Sequence, residues 1–183
     1  RGRLPTTEWY RSHVKGGYYP GYALSTAVGQ KDVLATPLQL ARVYTGLATG
    51  TVPDVRSVTG IEDEHGALSP RPPGYGRTLE VSAQTLALVR SALRAVVNEE
   101  GGTAFEAQPA QTTLAGKTGT AQAAQRPTKD MQALLADDPG ALARIGAWLQ
   151  NDHAWFVGWA PAEQPDITVA VMIEHGGSGG HNA

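Results

Sequence analysis

The 183-residue chain contains no cysteine, which excludes disulfides, thiolate metal sites and a cysteine nucleophile. It leaves the compartment open, because many exported bacterial proteins also lack that residue. No apolar run approaches the roughly 18 residues of a membrane span, and the first residues show no signal-peptide pattern. Neither sign of charge dominates: 15 basic against 17 acidic residues give a net charge of -2. Without a basic stripe or a long like-charge run, nucleic acid and anionic membrane are poor partners. A starting methionine is missing, and the closing HGGSGGHNA holds no element that would cover the strand before it. The chain is therefore expected to be a piece of something longer, with enough residues for one ordinary domain or a large part of a bigger one.

Residues 1 to 31 are rich in Gly, Tyr and Arg and sustain neither helical nor strand periodicity, so they read as irregular chain. A helix then begins clearly. Thr36 suits the N-cap, Pro37 the first helical position and Gln39 a capping box; Leu40, Val43, Tyr44 and Leu47 share a face, and Gly50 ends it. The stretch from Val52 to Leu79 predicts a small strand pair, VRSVTGIED with GALSP around a turn at EHG, followed by a proline-rich loop, RPPGYG. A second helix opens at Ser82, with Val81 and Leu86 spaced as a hydrophobic staple. Leu86, Val89, Leu93 and Val96 form its stripe before Gly101 and Gly102.

Beyond a polar, partly helical segment from Arg126 to Asp152, which reads as a mobile insertion, two strands are expected in HAWFVGWAP and DITVAVMIEHG. Ile167, Val169, Val171 and Ile173 alternate there with Thr168, Ala170, Met172 and Glu174, and the short PAEQPD link suits an antiparallel hairpin. LAGKTGTAQ, Leu114 to Gln122, is the natural third strand. The fold class is thus α+β, helices packed on an antiparallel sheet.

That third strand is chemically odd, because small and hydroxylated residues replace the branched apolar ones a strand prefers. Period 2 puts Thr118 and Thr120 on one side, while Gly116 and Gly119 leave the backbone bare for something to lie against it. An extended ligand can pair with such an edge, its carboxylate held by two hydroxyls and the Lys117 ammonium, with a backbone N–H left for a developing oxyanion. These are the needs of acyl transfer on a peptide ending in a carboxylate. An ordinary edge strand with a lysine and two glycines is the plainer reading of the same residues.

The surroundings favour the chemical one. LAGKTGTAQ, followed by HAWFVGWAP and ITVAVMIEHGGSGG and preceded by GRLPTTEWY, STAVGQKDVLATPLQLARVYTGLATG and VSAQTLALVRSALRAVVNEEGGTA, resembles the C-terminal half of a class B penicillin-binding protein of the elongation type. The resemblance implies an incomplete beta-lactamase/transpeptidase-like fold over 1–183. It further implies a serine D,D-transpeptidase that cross-links peptidoglycan stem peptides and binds beta-lactams. Carried over, Lys117 lies beside the serine of the Ser-x-Asn motif and helps bind the ligand carboxylate. Thr118 and Thr120 offer hydroxyls to it, the Thr120 N–H is an oxyanion donor, and Gly119 keeps the strand clear. Partners implied are the stem peptides, beta-lactams, the missing N-terminal half of the same protein and a cell-wall elongation glycosyltransferase. The implied location is the periplasmic face of the inner membrane, anchored by a segment outside these residues. No cofactor is implied.

The family pattern is incomplete here. Ser-x-Asn is absent, and the one Ser-x-x-Lys, SHVK at Ser12 to Lys15, is followed by GGYYPG, which cannot continue the helix that the motif needs. SHVK is read as coincidence and the chain alone as inactive. Lys31 stands where the family has glycine, so the local turn is expected to differ. Without a covering C-terminal helix, the last strand is expected to show an apolar face. Asp152, His153, His175 and His181 match no familiar metal spacing and read as solvated, and Trp148, Trp155 and Trp159 read as core or groove wall. A serine beta-lactamase or D-Ala-D-Ala carboxypeptidase, or a non-catalytic module binding wall peptides or a partner protein, are the alternatives.

Overall fold

The computed structural model describes residues 2–71, 74–123 and 125–183; Pro72 and Pro73 of the expected proline-rich loop lie outside them. Residues read as irregular hold two short helices, α1 (Thr7–His13) and α2 (Gly21–Ala27). Seven residues give too little periodicity to notice and too few hydrogen bonds to stand alone. They are held by aromatic packing instead: Tyr10 is buried, its ring 4.5 Å from Tyr22 and 6.0 Å from Tyr18.

Helix α3 (Pro37–Thr49) forms as its caps dictate. The Thr36 hydroxyl accepts from the Gln39 N–H, the Gln39 side chain accepts from the Thr36 N–H, and Gly50 closes the helix at φ 86°. Its buried contacts centre on Tyr44, Leu47 and Ala48, whereas Val43 of the expected stripe is 48% exposed. Two ribbons follow: β1 (Thr51–Val52) pairs with β4 (Arg77–Thr78), and β2 (Gly60–Glu62) with β3 (Leu68–Pro70). The second is the expected strand pair. Helix α4 (Ala83–Asn98) starts at the predicted Ser82 cap, whose hydroxyl accepts from the Thr85 N–H.

The main sheet has the order β5 (Ala115–Ala121), β6 (His153–Ala160), β7 (Ile167–Ile173), all antiparallel. Two helices, α5 (Lys129–Leu134) and α6 (Pro139–Trp148), lie between β5 and β6. In this register Trp159, Ala115 and Thr168 share one face, where Trp159 packs with Ala48, Tyr44, Leu47 and Leu93, and Thr45 donates to the Thr168 hydroxyl at 3.0 Å. On the opposite face Phe156 packs with Val97 and Ala104. Helix α4 therefore straddles the outer edge of β5, sending Leu93 to one face and Val97 to the other. On β7 the Ile-Val side is the outer one: Ile167, Val169 and Ile173 are 59%, 41% and 40% exposed. The short helix α7 (Gly179–Asn182) folds back over β5 and β6, where a Cβ on Gly179 would sit 2.2 Å from the Gly119 carbonyl oxygen.

Glu163, in the β6–β7 hairpin, accepts from the Thr113 hydroxyl and from Arg94 Nε of α4. Those bonds hold its carboxyl below the usual range. The tether is in place above the ordinary carboxylate pKa and is lost as pH falls through the lowered value.

Candidate functional site

In an antiparallel strand, backbone groups of alternate residues point to the same edge. The Thr120 carbonyl accepts from Gln30 Nε2 at 3.0 Å, and the Gln122 N–H donates to Gln30 Oε1 at 3.2 Å, so even-numbered residues of β5 present their N–H and C=O groups to the edge away from β6. The Thr120 N–H belongs to that set. Toward the start of the strand the same edge is closed by α4, where Asn98 Nδ2 donates to the Leu114 carbonyl at 2.7 Å. The open stretch is consequently short, centred on Thr118 to Thr120, and less than an extended ligand pairing along the whole strand would use.

Four side chains gather at this opening. Lys117 Nζ donates to the Thr118 carbonyl at 3.0 Å, and lies 3.3 Å from the Thr118 hydroxyl and 3.5 Å from that of Thr103. The Thr103 and Thr118 hydroxyls are 2.7 Å apart. Thr120 Oγ1 accepts from the Gly179 N–H at 3.3 Å, which leaves its own proton free to donate. Thr118 and Thr120 line one cleft of about 440 Å³ with Thr103, Ser178, Glu106 and His181. An ammonium and several hydroxyl donors around an open backbone edge have the chemistry to hold an anion, a carboxylate above all.

Thr118 and Thr120 share one side of β5, as period 2 requires; Lys117 and Gly119 belong to the other, and Lys117 joins the cluster because its amine reaches the Thr118 carbonyl and hydroxyl at the strand edge. Thr103 was not foreseen. It sits in the turn after α4, and only the fold brings it within reach of a residue fifteen positions away. Gly102, next to it, is fixed by packing: a Cβ there would meet the Val96 carbonyl oxygen at 2.3 Å.

The two strand glycines differ in kind. Gly116 is not bare, because its missing side chain makes room for the ring of Phe156, 2.5 Å from where a Cβ would stand. Gly119 has only Trp155 Cβ nearby, at 3.4 Å. Gly116→Ala is therefore expected to cost about 2 kcal/mol, and Gly119→Ala under about 1 kcal/mol, in paired thermal melts. Equal losses would remove the distinction.

Ser12 lies in the last turn of α1, with its hydroxyl donating to the Glu8 carbonyl at 3.0 Å, and Lys15 falls outside the helix. That is not the placement of a nucleophile at a helix start. His175, expected in solvent, is buried at 6% exposure against Trp148, its backbone N–H donating to His153 Nδ1 at 2.9 Å. Trp159 is core, but Trp148 is 45% exposed. No group of three or more metal-ligating side chains occurs, and no helix is long and apolar enough to cross a membrane, among the described residues.

Residues 2–183 match the family model described as the penicillin binding protein transpeptidase domain. Peptidoglycan D,D-transpeptidase MrdA of Haemophilus influenzae is 32% identical over 98% of this chain and 27% of its own length. Among solved structures, Pseudomonas aeruginosa PBP2 in complex with WCK 5153 superposes with a TM-score of 0.66 at 31% identity, over 98% of this chain and 34% of that one. The imipenem acyl-enzyme complex of penicillin-binding protein A from M. tuberculosis gives 0.62 at 25% identity, over 86% of this chain and 30% of that one. The chain spans about a quarter of the length of the curated relatives it matches.

Proposed function

The chain belongs to the penicillin-binding protein transpeptidase family, and from that premise we propose that residues 1–183 are the C-terminal portion of the catalytic domain of a peptidoglycan D,D-transpeptidase. Its substrate is a stem peptide ending in D-Ala-D-Ala. A serine supplied by the remainder of the domain attacks the penultimate carbonyl carbon, the bond to the terminal D-Ala breaks, and that D-Ala leaves carrying the proton taken from the serine. An amine of a neighbouring stem then attacks the ester, loses its proton and restores the serine.

The observation that carries this reading is the cluster at the open edge of β5. Lys117 Nζ, the Thr118 hydroxyl and the Thr120 hydroxyl receive the terminal carboxylate, and the Thr120 N–H, directed to the same edge, stabilises the oxyanion. Gly119, free of any packing need for bareness, leaves space for the substrate backbone. Beta-lactams, which carry a carboxylate beside a reactive carbonyl, occupy the same place. The protein works outside the cytoplasmic membrane, anchored by a segment beyond these residues and paired with a glycosyltransferase that makes the glycan strands.

Fluorescent penicillin tests the reading. The full-length protein is expected to form a stable covalent adduct, and residues 1–183 alone none, because binding groups without a nucleophile cannot turn over. A full-length protein that takes no label would leave a binding module. Rapid loss of the label would mark a hydrolase, and an adduct on Ser12 would overturn the account of SHVK.

A further inference from the structure

Among the described residues, Gln30 makes the longest-range side-chain hydrogen bond to β5. Its carboxamide meets the strand edge as one peptide unit of a neighbouring strand would: Nε2 donates to the Thr120 carbonyl at 3.0 Å and Oε1 accepts from the Gln122 N–H at 3.2 Å. Ninety residues of sequence separate the partners, so the contact belongs to the fold and not to local chain. The backbone around Gln30 is unusual. Gly29 has φ 71° and Lys31 φ 65°, so left-handed residues flank it on both sides. Lysine at such a φ is costly, and that cost persists only where its surroundings enforce the conformation. Here the Lys31 ammonium sits 3.0 Å from the centre of the Tyr22 ring, anchoring the turn to α2.

We propose that Gln30 is a positioning residue for acyl transfer, resting on the reading of β5 as the substrate edge. It fixes the Thr120 peptide group and ends the pairing edge, so that a peptide substrate registers against Thr118 to Thr120 and not further along the strand. Gln30 touches neither the carboxylate nor the reacting carbonyl. Its effect runs through the Thr120 backbone, whose N–H must meet an oxyanion within a few tenths of an ångström to be useful.

Gln30→Glu in the full-length protein separates this from a merely structural role. The glutamate keeps the shape and can still accept from the Gln122 N–H, but as a carboxylate it sets an oxygen against the Thr120 carbonyl, where the amide donated. Once protonated, it can donate again. Relative to the unmodified protein, the second-order rate of acylation by fluorescent penicillin is expected to fall about tenfold at about pH 8. The ratio should recover toward one as pH falls through the carboxyl range to about 4. Gln30→Ala, which leaves both backbone groups to water, should lose a few-fold with no such recovery.

A ratio for Gln30→Glu that stays flat with pH, or within twofold of one throughout, overturns the proposal. It does so for Gln30 alone if Lys117→Ala loses labelling in the same assay. If Lys117→Ala labels normally, the reading of the edge fails and this inference with it. Should Gln30→Glu not fold, Gln30→Ala labelling at the full rate overturns the proposal by itself.

Discussion

Lys117→Ala in the full-length protein is expected to lower the second-order rate of acylation by penicillin about 10²- to 10³-fold while leaving the melting temperature almost unchanged. The two halves of that expectation have separate causes. Lys117 is exposed, and among the described residues its ammonium hydrogen-bonds the Thr118 carbonyl and two threonine hydroxyls, all of which water can serve when it is gone. Stability should therefore barely move. Binding a carboxylate is another matter, since a charge-assisted donor at a positioned site is worth several times a neutral one. Lys117→Arg tests geometry against charge: the guanidinium keeps the charge but is planar and longer, and should recover only a small part of the rate. A variant that melts early, or one that labels at the full rate, would take Lys117 out of the site.

Trp159→Ala has the opposite signature. Its indole is fully buried between α3, α4 and β5, packed on Ala48, Ala115, Tyr44 and Leu93, and Nε1 donates to the Ala162 carbonyl at 3.1 Å. Truncation leaves a cavity walled by helices that cannot collapse independently, which costs about 3–5 kcal/mol. Trp148→Ala removes an indole that is already 45% exposed and should cost about 1 kcal/mol. Comparing the two melts checks the assignment of the core. If Trp148→Ala lowers the midpoint as much as Trp159→Ala, the core does not centre on Trp159.

What could be read from the sequence is what local rules decide. Thr36, Pro37, Gln39 and Gly50 bound α3 because caps act within one turn, and the register of β5 to β7 follows from alternation and a short hairpin. Period 2 alone was enough to place Thr118 and Thr120 together. What escaped depends on distant partners. Helices α1 and α2 are seven residues each and lean on tyrosines, so their own periodicity is faint. Thr103 reaches Lys117 only because the turn after α4 returns to the strand, and nothing in Gly101-Gly102-Thr103 announces it. Gly116 and Gly119 are alike in sequence, and only the fold brings Phe156 into the space beside Gly116.

Lys31 shows how a residue can mislead. A side chain in place of glycine suggested a different turn, yet the backbone keeps the left-handed conformation that glycine would favour. The cation over Tyr22 supplies a compensating contact that composition does not announce. On β7 the alternation itself was right. The less apolar side, Thr168 with Ala170 and Met172, is the one turned toward α3, while Ile167 and Val169 stay exposed.

Crystallography of the full-length protein acylated by a beta-lactam measures the proposed edge most directly. The ligand carboxylate should lie within hydrogen-bond reach of the Thr118 and Thr120 hydroxyls and beside Lys117 Nζ, with the former carbonyl oxygen accepting from the Thr120 N–H. An adduct whose carboxylate lies elsewhere, with the contacts among Lys117, Thr118 and Thr103 undisturbed, would contradict it.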